Sequence, residues 1–430
     1  MQEHDADRRF VSILSGGNMP NYDVAVIGAG LGGLAAAALL SSKQKKTIVI
    51  EQGPSLHGAW GEVEKDGIVF SVGSDLSYGF ERGGELHELS AVLGIDQKVS
   101  VPSPCYQVAL PDHRITVYAN PDETLEELRR EFRREIDTIA QFYRNLAALA
   151  RKRETRNISS YLLKCRSAAG ILRKYGFSRD LTAFLDVQSL FFFQKPAADL
   201  PLESLVTLCC TPPFRLDDGF RKFGDQLYRI ILGHGGEVLH NECASVLAFR
   251  DHGSVEIETG RGKVKADTIL LNTLSSQHRS MLFVSVLEEV IPQGMSTDVL
   301  YLPEYSRQGE FMVLSLDTKH NDEGGLAGTK ALTVTFTSSQ NGLEEKQVRL
   351  EQLGRLIPFL NDFMFFAEEY QPEAGHAALP VDTAMKPRRL HEADSSFYRT
   401  NAKNVFVLCD TPETPLQTVA TVQRNIAQLN

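Results

Sequence analysis

The chain has 430 residues and a formal net charge of −10, with 42% hydrophobic and 23% charged residues, an ordinary globular balance. The acidic surplus leaves no basic footprint for nucleic acid. The six cysteines (Cys105, Cys165, Cys209, Cys210, Cys243, Cys409) contain no C-x-x-C pair, which argues against a structural metal and for a reduced compartment. No apolar stretch is long enough to span a bilayer, and the first 20 residues lack a signal-peptide core. The expectation is a cytoplasmic protein with no transmembrane segment, with peripheral membrane contact left open.

Residues 1–19 show no sustained apolar period and read as a flexible tail. Residues 24–27 are a short apolar run, the pattern of a parallel strand buried on both faces. The run feeds into Gly28-Ala29-Gly30-Leu31-Gly32-Gly33, which contains G-x-G-x-x-G, and then into an Ala- and Leu-rich stretch that reads as a helix packed on the sheet. A second apolar run, 47–50, ends at Glu51. Gly28 permits the tight turn, Gly30 lets a pyrophosphate approach the backbone, and Gly33 lets the helix sit against the strand. The helix start offers N–H groups and the positive end of its dipole to phosphates. Glu51 stands about 20 residues beyond the glycines, where a carboxylate accepts hydrogen bonds from ribose hydroxyls. The full strand, turn, helix, strand and acid unit points to an adenine dinucleotide. A glycine-rich turn with no ligand is the alternative.

Beyond Gln52 a turn-rich loop carries His57, Gly58, Ala59 and Trp60. Residues 67–73 alternate like a strand, and 84–94 read as a short helix ended by a glycine. From Ala109 the pattern changes to a strand at 114–118 and a long helical stretch reaching Lys152. Its Glu126 and Arg130 pair at i,i+4, so this reads as a solvated face, with a basic patch for an anionic partner as the alternative. Helical segments at 161–175 and 179–188 follow. Phe191, Phe192 and Phe193 cannot all point one way; plain core packing is the expected reading, with one of them lining a cavity or reaching the surface as the alternative. Residues 214–231 read as a turn into a helix, and 237–239, 254–259 and 263–272 as strands. The next region mixes strands (312–316, 331–337) with a helix near 343–367. A buried strand, 404–410, ends at Asp410, and 416–428 reads as a terminal helix.

Several of these segments carry a resemblance. Glu51, Asp66-Gly67-Ile68-Val69-Phe70 with Gly73, the stretch 185–190, the helix 219–227, Gly235-Gly236-Glu237-Val238, Ala266-Asp267-Thr268-Ile269-Leu270-Leu271-Asn272 and the strand ending at Asp410 stand in the order of one set of motifs. Together they resemble the phytoene desaturase-like flavoproteins (carotenoid desaturases, carotenoid isomerases and retinol saturases) of the amine-oxidase-like fold. The resemblance implies an α/β class: a Rossmann-like FAD/NAD(P)-binding domain with an inserted α+β substrate domain. The first would be discontinuous over 20–108, 204–280 and 397–430, and the second would take 109–203 and 281–396. It implies FAD as cofactor rather than NAD, held by Gly28, Ala29, Gly30, Gly32, Gly33, Glu51, Gln52, Gly58, Ala59, Trp60, Ala244, Asn272 and Asp410, with no metal. Two departures stand out. His57-Gly58-Ala59 replaces the family's Gly-Gly-Arg, so the arginine that neutralises the pyrophosphate is absent. Leu408-Cys409-Asp410 replaces Ala-Gly-Asp, and the glycines that follow it are missing.

The function this implies is an FAD-dependent oxidoreductase of the dehydrogenase or desaturase type, acting on a hydrophobic substrate or on a side chain of a partner protein. A redox-neutral flavin isomerase and a non-catalytic binding or escort protein on the same fold are the alternatives, and the two departures weigh toward the last. Flavin chemistry requires no catalytic triad, because the cofactor carries the reaction. His57, as a group able to titrate near neutral pH, and Trp60, as a ring able to stack on the flavin, are the candidate catalytic residues, against a plain loop histidine and simple packing. Residues 160–193 hold more apolar surface than a small helical unit buries on itself, so an apolar cleft between the two domains is expected.

Overall fold

The computed structural model describes residues 19–53, 56, 60–154, 166–249, 254–274, 279–317, 328–337, 342–370, 388–389, 397–399 and 405–410. Asn21–Ile27 forms β1, Leu31–Ser42 helix α1 and Thr47–Ile50 β2. Residues 24–27 and all of β2 are buried, as a strand covered on both faces must be. Helix α1 is buried from Leu31 to Ser41, and its run of alanines keeps it close to the sheet. Gly61–Lys65 (β3) and Ile68–Val72 (β4) form a hairpin. Asp66 at φ 51° and Gly67 at φ 75° make its two-residue turn, where both central positions require positive φ. Helix α2, Glu85–Leu93, ends at Gly94 in the left-handed conformation.

Next come β5 (Tyr106–Ala109) and β6 (Arg114–Val117), then α3 (Pro121–Glu131) and α4 (Ile136–Glu154). Asn120 caps α3 through its side chain, with Pro121 at the first helical position. The single helix expected up to Lys152 is therefore two. Phe132 leaves helical geometry to bury its ring in the core against His113, at 4.6 Å between ring centroids. Helices α5 (Ala169–Tyr175), α6 (Arg179–Phe193) and α7 (Leu202–Cys210) complete this layer. Residues 161–165 of the expected first segment lie outside the described residues.

The phenylalanine triplet is packed in the core, and the alternative of a cavity-lining or surface ring is not met. Phe191, Phe192 and Phe193 are 1%, 3% and 7% exposed, and all three end α6 inside the core. This is possible because the later turns of α6 are enclosed, with Ala183 to Ser189 all buried. Phe192 meets Tyr78 at 4.6 Å and Tyr106 at 5.5 Å, while Phe193 stacks on Tyr78 at 5.8 Å. Leu181, Phe184 and Leu185 join the same cluster, together with residues of β5, β6, α3, α4 and α7. The apolar surface of this unit is thus buried on itself and on its sheet, and it does not require a ligand.

The chain continues through α8 (Gly219–Gly233), β7 (Glu237–Leu239), β8 (Val255–Thr259), β9 (Gly262–Leu274) and β10 (Arg279–Leu287). Then follow β11 (Asp298–Tyr301), β12 (Met312–Leu316), β13 (Thr329–Thr337), α9 (Gly342–Leu356), β14 (Met364–Tyr370) and β15 (Val405–Asp410). The helix expected over 343–367 ends at Leu356, because Pro358 cannot continue it and Phe359 turns the chain at φ 65°. Residues beyond that point form the edge strand β14. The terminal helix expected at 416–428 lies outside the described residues.

Two large sheets result. In the first, β7-β2-β1-β9-β15 run parallel, with short antiparallel strands beyond β15 and β8 folded back onto β9. In the second the order is β14-β10-β13-β12-β11-β5-β6, antiparallel except between β11 and β5. The β3–β4 hairpin packs on the second sheet, where Phe70 stacks on Phe283 at 4.7 Å.

Candidate functional site

The glycine turn is built against β9. Gly28 has φ +102°, and its N–H donates to the Ile50 carbonyl at 2.8 Å. A Cβ at Gly28 would stand 2.3 Å from the Asn272 carbonyl oxygen, and one at Gly33 would stand 2.2 Å from the Gly28 oxygen. Only glycine fits either place. Asn272 Nδ2 donates back to the Gly28 carbonyl at 3.5 Å. Gly30 is the N-cap of α1, with no side-chain cap of its own and no acidic residue in the first turn of the helix, so the positive end of the helix dipole faces the glycine turn. Gly32 is buried in that first turn.

Glu51 does more than wait for a ribose. Its Oε2 accepts from Ala29 N at 2.6 Å and its Oε1 from Gly53 N at 2.8 Å, so the carboxylate ties the glycine turn to the exit of β2. Each oxygen keeps acceptor capacity for a ligand hydroxyl. The loop after β7 is laid along the same edge: Asn241 N donates to Gly53 O and Glu242 N to Glu51 O. That loop brings half-buried Ala244 to this side, and Gln52 is exposed beside it. β15 lies next to β9 with Leu408 opposite Asn272 and Asp410 opposite Leu274, so the chain end of β15 reaches the same rim as the glycine turn.

The structure therefore gathers Gly28, Ala29, Gly30, Gly33, Glu51 and Asn272 into one cradle. Its close backbone, helix start and carboxylate suit a pyrophosphate and a ribose. Trp60 is 4% exposed and shares the apolar cluster of Ala29 and Leu31, with its ring 5.8 Å from that of Phe220. His57, Gly58 and Ala59 lie outside the described residues. Cys209 is core: burial holds its thiol well above the ordinary range, and burial likewise pushes Cys105 up to about 11.

A second feature was not anticipated from the sequence. Where β4 ends at Gly73 and Ser74, a recess opens against the second sheet, lined by Met281, Val313, Ser315, Thr333 and Thr335. The i, i+2 spacing of Val313 with Ser315 and of Thr333 with Thr335 put each pair on one face. Nothing in the sequence said which face meets the β3–β4 hairpin.

Residues 26–91 match a family model described as an NAD(P)-binding Rossmann-like domain. The chloroplastic prolycopene isomerase 2 of an Oncidium hybrid cultivar is 25% identical over 281 residues, covering 58% of this chain and 48% of the relative. The chloroplastic prolycopene isomerase of Arabidopsis thaliana is 28% identical over 214 residues, covering 44% of this chain and 36% of the relative. The chain thus spans about half the length, or less, of these curated relatives. Among solved structures, a Rab GDI from Plasmodium falciparum superposes with a TM-score of 0.63 at 14% identity, covering 96% of this chain and 98% of that one. An oxidoreductase from Methanosarcina mazei gives 0.61 at 15%, covering 93% and 99%. A putrescine oxidase variant gives 0.57 at 14%, covering 96% and 99%. Together these likenesses show the fold shared by the amine oxidases and the GDI, and they are in keeping with the resemblance to the phytoene desaturase-like flavoproteins.

The α/β class and the Rossmann-like domain expected for that family are present. The Rossmann-like domain points to a dinucleotide as the cofactor. The structural neighbours share the fold at low identity and include both oxidases and a GDI, so the fold alone does not choose a reaction. Among the described residues, no helix is long and apolar enough to cross a membrane, and no cluster of His, Cys, Asp and Glu could hold a metal ion.

Proposed function

We propose that the protein is an FAD-dependent oxidoreductase acting on a hydrophobic substrate. The observation that carries the reading is the cradle in which Glu51 bonds Ala29 N while Gly28 and Gly33 press against Asn272. That geometry is built for a dinucleotide, and the parallel strands returning at β9 and β15 suit the discontinuous domain over 20–108, 204–280 and 397–430. In this reading Glu51 holds the ribose and the start of α1 holds the pyrophosphate. Gln52, Gly58, Ala59, Trp60, Ala244 and Asp410 complete the cofactor contacts. A bound flavin supplies hydride or electron transfer; the chain orients it and excludes water. The substrate lies between the dinucleotide layer and the second sheet.

A redox-neutral isomerase is the second reading, favoured by the curated relatives, which are prolycopene isomerases. A visible absorbance spectrum of the purified protein, followed by denaturation and identification of the released nucleotide, tests the cofactor. Release of NAD, or no nucleotide after reconstitution with FAD, would remove the flavin reading and leave the escort alternative in front. Given FAD, an assay that counts electrons delivered to an added acceptor during turnover separates oxidoreductase from isomerase.

A further inference from the structure

Charge is unevenly placed along the chain. Between Arg133 and Arg179 the sequence holds twelve Lys and Arg against three Asp and Glu, a local surplus of nine positive charges in a chain whose total is −10. The rest of the molecule therefore carries −19. On α3, just before this stretch, the arginines are matched: Arg129 pairs with Glu126 at 3.2 Å and Arg130 with Glu127 at 2.8 Å, so the solvated-face reading holds there. Beyond α3 the matching stops. Arg133, Arg134, Arg144, Arg151, Arg173 and Lys174 are all exposed, and no carboxylate among the described residues pairs with any of them.

These side chains belong to one two-helix unit. Arg144 and Arg151 fall on one face of α4, opposite the buried Ile139, Phe142 and Leu146. Helix α5 is fixed to α4 by the Tyr175 hydroxyl, which accepts from Asn145 Nδ2, and by the Phe142 ring, 5.3 Å from that of Tyr175. With 19 residues, α4 spans about 28 Å. No residue of α5 is fully buried, and half-buried Ile171, Leu172 and Tyr175 lie beside exposed Arg173 and Lys174. Exposed charges farther apart than about 8 Å are largely screened at physiological ionic strength. An anionic surface that touches this unit therefore meets the local positive charge, while the acidic remainder resists contact through any other face.

We propose that the α4–α5 face docks on a bilayer surface containing anionic phospholipids. Arginine guanidinium groups bind phosphate oxygens in pairs. Ile171, Leu172 and Tyr175 suit the boundary between headgroups and acyl chains, from which basic side chains extend to the phosphates. That mixture of apolar and basic side chains favours a lipid surface over a nucleic acid or an acidic protein. The choice of lipid rests on the hydrophobic-substrate reading above, because an apolar substrate resides in a bilayer, and it adds the face that meets the bilayer and the lipid charge it requires.

The test is co-sedimentation of the full chain with substrate-free vesicles of phosphatidylcholine alone and of phosphatidylcholine mixed with phosphatidylglycerol. The expected result is binding to the mixed vesicles that weakens as salt is raised, with little binding to phosphatidylcholine. Arg144→Gln/Arg151→Gln should bind the mixed vesicles about 25-fold more weakly, about fivefold for each arginine removed, with an unchanged melting temperature. Lys222→Glu on α8, which alters the net charge by the same amount, should bind as wild type does. Equal binding to both vesicle types, no binding to either, or binding insensitive to salt overturns the proposal. So does a loss in Lys222→Glu equal to that in the double variant, since net charge and not this face would then decide. Displacement from the vesicles by poly-glutamate or single-stranded DNA at matched charge overturns it as well, in favour of an acidic macromolecule as partner. The readout involves no turnover, so the two readings stay apart: a protein that binds mixed vesicles but turns over only a polar substrate sinks the hydrophobic-substrate reading and keeps the docking face.

Discussion

Replacing Glu51 by Ala removes two hydrogen bonds to a charged acceptor at once, those from Ala29 N at 2.6 Å and Gly53 N at 2.8 Å. Each bond of this kind contributes about 1.5–3 kcal/mol. Glu51 is half-buried, so water replaces part of what is lost, and the net cost to the ligand-free protein is expected at about 2–4 kcal/mol. Glu51→Gln keeps the length and one carbonyl oxygen but presents an NH2 group to a backbone N–H. It should cost roughly half as much, about 1–2 kcal/mol. The assay is urea unfolding without nucleotide, followed by the fluorescence of Trp60, which is the only tryptophan in the chain. The measurement is then repeated with FAD, where the Ala variant should also bind about 1.5–3 kcal/mol more weakly. If the ligand-free Glu51→Ala protein unfolds along the wild-type curve, the carboxylate does not tie the turn and the reasoning fails. If stability falls but FAD affinity does not, Glu51 is a brace for the turn and the ribose assignment is wrong.

Gly33→Ala should destabilise the protein by about 3 kcal/mol or more and abolish nucleotide binding, because its Cβ meets backbone oxygen at 2.2 Å; near-wild-type melting would contradict the packing of α1 on β9. Burial pushes the Asp186 carboxyl above its ordinary pKa, with Asp199 adding to the effect, while Oδ1 accepts from Ala197 N at 2.8 Å. The folded protein therefore binds this proton more tightly than the unfolded chain, so its contribution to stability is fully present at acid pH and declines as pH rises from the ordinary carboxylate pKa through the raised folded one. Asp186→Asn removes that decline, and its melting temperature relative to wild type should climb between acid and neutral pH; a difference independent of pH would refute the assignment. In native protein, iodoacetamide should label exposed Cys243 before Cys105 and Cys209, whose thiols are buried and raised; peptide mapping that finds Cys209 labelled as fast as Cys243 would show that the core is open there.

The dinucleotide cradle was largely legible in the sequence because its determinants are local. The apolar run of β1, the glycines, the alanine-rich helix and Glu51 sit within about 30 residues, a single βαβ unit, and each acts through its own backbone conformation or its immediate neighbour. The glycine end of α2 was readable for the same reason. Tertiary structure alone decided what meets this unit. Asn272 fills the space behind Gly28 and Gly33 from a strand 244 positions away, a contact that no local pattern encodes. It also decided that three successive phenylalanines could all be buried, because the side chains surrounding α6 come from distant segments, and that the stretch after Pro358 would become an edge strand. The alternation of Ser315, Thr333 and Thr335 was written in the chain, but alternation defines two faces and is silent on which one is covered. Packing of the β3–β4 hairpin on the second sheet selected the face, and with it placed the recess that the hydroxyls line.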